Sequence, residues 1–412
     1  MRSVGDRQRL PQNTLYAHQK PAATVRCVRV EDVQECLELA VRERVPVAAR
    51  SGGHSYAGYS TPHNGLVIDL AGMSDVRVEG NQARIGGGAR MHDIYEALGA
   101  AGQALPAGTC RSVGIGGLVL GGGISVVSRG YGLTCDHLTE ARIVTPDGVL
   151  RTASAHEEPD LFWALKGGCG GNFGVVTEFT FRTDPAPDLA VFSLGYPEGS
   201  AADVTDAWQE WMADAPDELW SSLRVDSGPK SVPGVVGTYE GSAKDLHRLL
   251  DRMPSAVREV GEMTYLEAMR HYSGPEESGR PYVASSRMLN QHVSGASVAA
   301  LMDGQPPVAI LFDSFGGAVE RIAPDATAFP HRDATASAQI LVDLGDLTEA
   351  RARALLAGVR DGLGAGTTGY VNYIDPEMPD WPTAYYGRNL ARLKEVANRY
   401  DPDRVLAFPQ GL

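Results

Sequence analysis

The stretch Arg50-Ser51-Gly52-Gly53-His54-Ser55-Tyr56-Ala57-Gly58-Tyr59-Ser60 sets glycines around one histidine directly after the short apolar run Val45–Ala49. Glycine lets a backbone turn sharply and approach a ligand with its N–H groups bare. Three further clusters repeat the pattern, at Gly86-Gly87-Gly88, Gly114 to Gly123 and Gly167 to Gly174. A single cluster is as readily a surface loop as a binding loop. Four of them in the first half of one chain suggest a cradle for a phosphate-bearing cofactor. Gly114-Ile115-Gly116-Gly117-Leu118-Val119 lacks the third glycine of GxGxxG, and no acidic residue follows at ribose-reading distance, which disfavours a nicotinamide nucleotide on a doubly wound sheet.

A chain of 412 residues exceeds what one hydrophobic core usually organises, so two domains or one domain with a large insertion are expected. The net charge of -14 argues against a nucleic-acid footprint or an anionic membrane surface, both of which need clustered Lys and Arg. A phosphate group would therefore be held mainly by backbone N–H groups. Met1 to Thr14 shows no apolar core of a secretory signal, and the apolar run Gly114–Val127 is interrupted by glycines, so a cytoplasmic protein without a membrane span is expected. Cys27, Cys36, Cys110, Cys135 and Cys169 are odd in number, widely spaced and free of CxxC pairs. Neither a disulfide framework nor a metal site is read from them.

Local patterns alternate helix and strand. Val33, Cys36, Leu37, Ala40 and Val41 recur at helical spacing behind Glu31-Asp32, and Leu66–Leu70 reads as a second buried strand. Val76–Glu79 and Ala83–Ile85 form a predicted hairpin around Gly80-Asn81, and Ala141–Thr152 another around Pro146-Asp147-Gly148. Val175 to Phe181 alternates as a half-exposed strand. After the linker-like Thr183–Pro187, helical patterns (Ala201–Met212, Ala243–Met253, Leu347–Gly362) mix with strands (Val308–Phe312, Ala338–Val342) up to about Thr367. A helix from Ala384 to Tyr400 is expected to stop at Asp401-Pro402.

Two residues carry reactive groups beside glycines. His54 is either a solvated loop histidine or one that meets a ligand, and Cys110, in Ala107-Gly108-Thr109-Cys110, is either an inert thiol or a reactive one. Tyr370 and Tyr373 are likewise either packed aromatics or chemistry.

Together, Arg50-Ser-Gly-Gly-His-Ser-Tyr, Gly108-Thr-Cys with Val113-Gly-Ile-Gly-Gly-Leu, Tyr131-Gly-Leu-Thr-Cys-Asp, Gly171-Asn-Phe-Gly-Val-Val-Thr, and the tail motifs Tyr370-Val-Asn-Tyr-Ile-Asp and Tyr385-Tyr-Gly-Arg-Asn-Leu resemble the berberine bridge enzyme-like FAD-linked oxidases of the vanillyl-alcohol oxidase (PCMH-type) superfamily. The likeness runs from about Pro21 to Asp184 and from Gly369 onward; between them it survives at Gly316-Gly-Ala and Ala328-Phe-Pro-His-Arg. It implies an α+β fold: a two-subdomain PCMH-type FAD-binding domain (residues 1–185), a substrate domain with an antiparallel sheet covered by helices (186–368), and a C-terminal segment (369–412) returning to the FAD domain.

The resemblance further implies FAD bound covalently through His54 and Cys110. Arg50, Ser51, Gly52, Gly53 and Ser55 would cradle the pyrophosphate. Gly108, Thr109, Gly114, Gly116, Gly117, Gly121 and Gly122 would line the ring and ribityl chain, and Gly174, Val175 and Val176 would meet the adenine side. Tyr373 is implied as catalytic base, with Tyr370 and Asn372 beside the flavin. A phenol of ordinary pKa about 10 needs help to act near neutrality, and no helper is legible. Val113 corresponds to a gate whose small side chain favours oxygen as acceptor. The implied reaction passes hydride from a small-molecule hydroxyl or phenol to flavin N5 and yields hydrogen peroxide from O2, with a natural-product intermediate as the expected substrate. Oligosaccharide oxidase, a dehydrogenase using another acceptor, and a non-catalytic drug-binding flavoprotein are the alternatives. Three positions depart from the family pattern, Arg111, Ser125 and Cys169. Ala334–Asp346 holds no aromatic residue, which counts against a sugar stacked on that segment.

Overall fold

In a computed structural model the chain is described over residues 10–274, 279–364 and 368–412. The first nine residues of the expected leader, and Thr367 at the expected end of the middle segment, lie outside the described residues.

Three large sheets organise the described residues, beside a two-stranded pairing of Gln103–Ala104 with Asp184–Pro185. Leu66–Asp69 is the centre of a parallel three-stranded sheet, between Ala23–Arg26 and Val47–Arg50. The connecting helix Val30–Glu43 buries Val33, Cys36, Leu37 and Ala40 on this sheet, four of the five residues its spacing predicts, while Val41 lies round the helix in solvent. Asp32 starts it, accepting hydrogen bonds from the backbone N–H groups of Val28 and Arg29.

The second sheet is antiparallel, in the order Val76–Glu79, Gln82–Gly86, Val175–Arg182, Leu138–Val144, Leu150–Ser154. Both predicted hairpins lie in it. The strand Val175–Arg182 departs from its half-exposed reading, since six of its first seven residues are buried. It occupies the middle of the sheet, where Thr177 and Thr180 are covered as fully as Phe179 and Phe181.

The third sheet has seven antiparallel strands, ordered Val257–Thr264, Asp188–Gly195, Val232–Tyr239, Leu219–Asp226, Ala309–Ser314, Ala336–Asp343, Tyr282–Leu289. Leu219, Leu223 and Val225 pack with Val235, Ile310, Phe312, Ala338 and Ile340 beneath the helices Ala201–Ala213, Ala243–Leu250, Gly295–Met302 and Glu349–Gly362. Ser242, Ser294 and Thr348 cap three of these helices. Because side chains alternate along a strand, Trp220, Ser222, Leu311, Asp313 and Gln339 point away from the helices, towards the FAD-domain half of the molecule.

The tail does not form one helix from Ala384 to Tyr400. Helix Trp381–Tyr386 stops at Gly387, whose φ of +47° is left-handed, and a second helix runs from Leu390 to Tyr400. Among the described residues no helix is long and apolar enough to cross a membrane.

Candidate active site

A cavity of about 820 Å³ runs between the FAD-domain half and the open face of the seven-stranded sheet. Its wall is built on loops that cross at very short range. A Cβ on Gly52 would lie 2.2 Å from the Gly114 nitrogen, and one on Gly114 would lie 2.1 Å from Ser51 Oγ. Only glycine permits that crossing. Ser51 Oγ then donates to the Gly87 carbonyl at 2.6 Å, tying three of the four glycine clusters together. Gly117 differs, because a Cβ there would meet nothing within 4 Å, and it lines the cavity.

Most of the expected cofactor residues converge on this wall. Ser51, Gly52, Gly53, His54, Ser55, Gly108, Thr109, Cys110, Val113, Gly114, Gly116, Gly117, Gly174, Val175, Val176 and Asn372 all line it, as do Tyr370 and Tyr373. His54 is half-buried, with Nε2 2.9 Å from Ser112 Oγ, so its ring is held by the turn that also carries Cys110. Cys110 is the exposed one among the five cysteines.

Three residues sit elsewhere. Arg50 does not line the cavity. Sheet register places it beside Asp69, and its guanidinium donates to that carboxylate at 2.7 Å with both side chains buried. It buttresses the loop from behind, its Cδ 3.6 Å from where a Gly53 Cβ would be. Gly121 is pressed against Asn372, whose Oδ1 would be 2.1 Å from an added Cβ. Gly122, at φ +122°, faces Phe329. Both glycines support the site without lining it.

Among the described residues no Lys or Arg lines the cavity. A diphosphate there would be met by backbone N–H groups and by a hydroxyl such as that of Ser55, whose oxygen accepts from the Tyr59 N–H, as the acidic composition leads one to expect. FAD fits this enclosure: a glycine-built trough long enough to pass three clusters, with an exposed thiol and an imidazole at its edge.

The tail supplies a tyrosine pair. Tyr370 hydroxyl accepts hydrogen bonds from the Gly123 N–H at 2.8 Å and from Asn372 Nδ2 at 2.9 Å, while Asn372 also donates to the Leu118 carbonyl. Tyr370 is thereby fixed against the glycine loop. Tyr373 stands edge-on to Tyr370, with centroids 4.9 Å apart, and stacks on Tyr56. Burial, followed by the negative Asp313, holds its phenol well above the ordinary tyrosine range. Among the described lining residues no Lys or Arg is present to stabilise a phenolate.

Sequence reading missed one further ionisable group of the cavity wall. Asp313 ends an apolar strand, opposite Ser222 in register, and is the one charged side chain among the described lining residues. Burial pushes its carboxyl up to about 6, with Ser222 acting in the opposite sense through a hydrogen bond. A half-buried carboxylate poised near neutrality beside a tyrosine can take up a proton in the working range of most enzymes. Tyr56, in the histidine loop, accepts a hydrogen bond at its hydroxyl from the Gln339 side chain. Trp220 and Tyr272 also line the cavity, so the aromatic surface missing from Ala334–Asp346 is supplied by the strand Leu219–Asp226, two places away in the sheet, and by the helix Tyr265–Ser273. Of the three departures, Ser125 and Cys169 line the cavity, Cys169 at a left-handed φ of +71°, while Arg111 contacts His92 outside it.

Comparison with known proteins matches this geometry. Residues 21–154 match the FAD binding domain family and residues 369–412 the family described as berberine and berberine like. An uncharacterized FAD-linked oxidoreductase of Bacillus subtilis is 34% identical over 95% of this chain and 91% of its own length. A xylooligosaccharide oxidase of Thermothelomyces thermophilus is 31% identical over 95% and 87%. The solved structure of Physcomitrella patens BBE-like 1 superposes with a TM-score of 0.91 at 28% identity, covering 98% of this chain and 93% of that one. With likeness running the length of the chain, through both the glycine-built trough and the tyrosine-bearing tail, the protein belongs to the berberine bridge enzyme-like FAD-linked oxidoreductases of the PCMH-type superfamily.

Proposed function

We propose that the protein is an oxidase whose FAD is attached through both His54 and Cys110, and that it oxidises a hydroxyl- or phenol-bearing natural-product intermediate with O2 as acceptor. The observation that carries this reading is the cluster around Tyr373, which stacks on Tyr56 and feels the charges of Asp313 and Cys110 within the same cavity. FAD held in the trough would supply the two-electron redox chemistry with oxygen as acceptor. The protein's part is positioning and proton handling. Tyr373 receives the substrate hydroxyl, and because its own phenol is held neutral, the proton it accepts is matched by one handed on to Asp313. Tyr370 and Asn372 fix the glycine loop under the reacting groups. Val113 is a small, half-buried lining residue and supports oxygen access. Val236, Leu311 and Val126 give the chamber an apolar body, which favours an apolar ring system.

An oligosaccharide is the second reading, supported by the aromatic faces of Trp220 and Tyr272 and by the xylooligosaccharide-oxidising relative. Peroxide release by the holoprotein, screened across phenols, benzylic alcohols, polyketides and oligosaccharides, decides between them. Flavin that is bleached by a substrate anaerobically but reoxidises very slowly in air would replace the oxidase by a dehydrogenase. Stoichiometric binding with neither bleaching nor peroxide would make the protein a binder.

A further inference from the structure

We propose that the substrate is elongated, and that its apolar end, remote from the hydroxyl that reacts, lies outside the cavity on a glycine-floored patch of the open sheet face. The inference rests on the reading of this cavity as the substrate site of a FAD-dependent oxidase and adds the shape and polarity of what enters it. It begins with exposure. Seven large apolar side chains are exposed among the described residues, and three of them, Val232, Val236 and Val257, belong to this one sheet. Alternation along the strands sorts them to one face. Val235 packs beneath the helices, so Val232, Gly234 and Val236 point the other way, and Val260, which packs on the same helix layer, leaves Val257 on the open face.

Register joins this patch to the chamber. Gly195 pairs with both Gly234 and Val257, while Arg224 pairs with Gly234 on one side and Leu311 on the other. Val236 and Leu311 line the cavity, so one strand forms chamber wall at Val236 and open patch two residues away. From Leu311 to Val257 is four strand spacings, roughly 19 Å. The floor between them is bare on two strands. A Cβ on Gly234 would meet only the Leu194 carbonyl oxygen, at 3.9 Å, and one on Gly195 only Val257, at 3.8 Å. The Arg224 guanidinium is turned along its own strand to Asp226, at 2.7 Å, and Ser193 with Glu259 forms a polar rim in the next row. Between Val232–Val236 and Val257 the patch measures on the order of 150 Å² at these spacings. A stable protein complex buries about 800 Å² on each partner, so a second chain is a poor occupant. The apolar end of a small molecule already anchored in the chamber gains from covering such a surface in proportion to its area.

The para-alkylphenols from ethyl to octyl share one reacting group and differ only in reach. Each is titrated into the flavin-loaded protein while the flavin absorbance shift is followed. Affinity is expected to rise about tenfold or more from butyl to octyl, roughly twofold for each half-covered methylene. Gly234→Glu places a charged side chain in open space on the patch; it should reduce that gain to near unity and leave para-ethylphenol binding unchanged. Gly195→Glu, on the neighbouring strand, should do the same, and stands in where Gly234→Glu does not fold. Affinity that ignores chain length in the wild-type protein overturns the proposal, as does a length gain that survives both glycine variants. Dimers in sedimentation velocity that Gly234→Glu dissociates would assign the patch to a second copy and overturn it too. If every phenol shifts the flavin but none gains from length, the extension falls alone and the substrate-site reading stands; if none shifts it, both fall.

Discussion

Tyr56 lies face to face with Tyr373, their ring planes 8° apart and their centroids 5.6 Å apart. The stack joins the histidine loop to the tail, so Tyr373 is held from one side by the FAD domain and edge-on from the other by Tyr370. Removing only the hydroxyl should leave this packing intact. Tyr373→Phe is expected to keep its flavin and melting temperature while kcat falls roughly 10²- to 10⁴-fold, the usual loss of a general base. Stopped-flow flavin reduction measures it; an unchanged reduction rate would remove Tyr373 from the chemistry.

His54 and Cys110 flank Ser112, which bonds the imidazole from the far side of the same turn. If both side chains carry the flavin, denaturation in acid should leave flavin on the polypeptide in the wild type and in His54→Ala and Cys110→Ala separately. Only the double variant should release it. Free flavin from the intact wild-type chain would end the two-bond proposal while leaving FAD binding itself untouched.

The glycines of the trough divide into two kinds by what an added methyl would meet. At Gly114 it would strike Ser51 Oγ at 2.1 Å and the Gly52 nitrogen at 2.2 Å, whereas at Gly117 it would meet no protein atom within 4 Å. Gly114→Ala should therefore destabilise the fold by about 1–3 kcal/mol or more, as overpacking does. Gly117→Ala should melt like the wild-type apoprotein yet load less flavin. Flavin content and calorimetry separate the two effects. Full loading of Gly117→Ala would show that the cofactor does not pass that glycine.

The glycine loops and their histidine, the exposed cysteine and the tail tyrosines were legible because their chemistry is local, carried by residues close together in the chain. Asp313 was not, since an Asp at the end of Ala309–Ser314 looks like a strand terminus until register sets it opposite Ser222. Arg50 misled for the same reason in reverse. An arginine beside a glycine loop reads as a phosphate ligand, yet parallel pairing of Val47–Arg50 with Leu66–Asp69 consumes it on Asp69. The break in the tail helix is hidden from the sequence because helical periodicity continues across Gly387, and only the left-handed backbone there interrupts it.

Arg332 donates to both carboxylate oxygens of Asp136, at 2.7 and 2.8 Å, with side chains 1% and 6% exposed. Burial alone would raise the Asp136 carboxyl; the arginine, joined by the Leu133 N–H and the charge of Lys166, more than offsets it, leaving it below the ordinary range. The guanidinium also lies over Phe329, which meets Tyr370 edge-on. Asp136→Ala leaves a buried arginine without its counter-charge and should cost about 3–5 kcal/mol. Arg332→Met, which removes the charge and keeps volume, should cost less when paired with Asp136→Leu than either single change does. Thermal unfolding of the set tests this; additive losses would mean that the pair is not coupled.

Asp313 sets the expected acid limb of activity. Its carboxyl is pushed up to about 6 by burial, so above that pH it is ionised and can take the proton relayed from Tyr373. Below it, the site is already filled. With Tyr373 held far above this window, a single ionisation should govern the limb, and kcat/KM should fall about tenfold per pH unit below 6. Asp313→Asn should lower the plateau and abolish the limb, because the amide neither titrates nor accepts a proton. A limb near 6 that persists in Asp313→Asn would assign the ionisation to another group, and with it the relay.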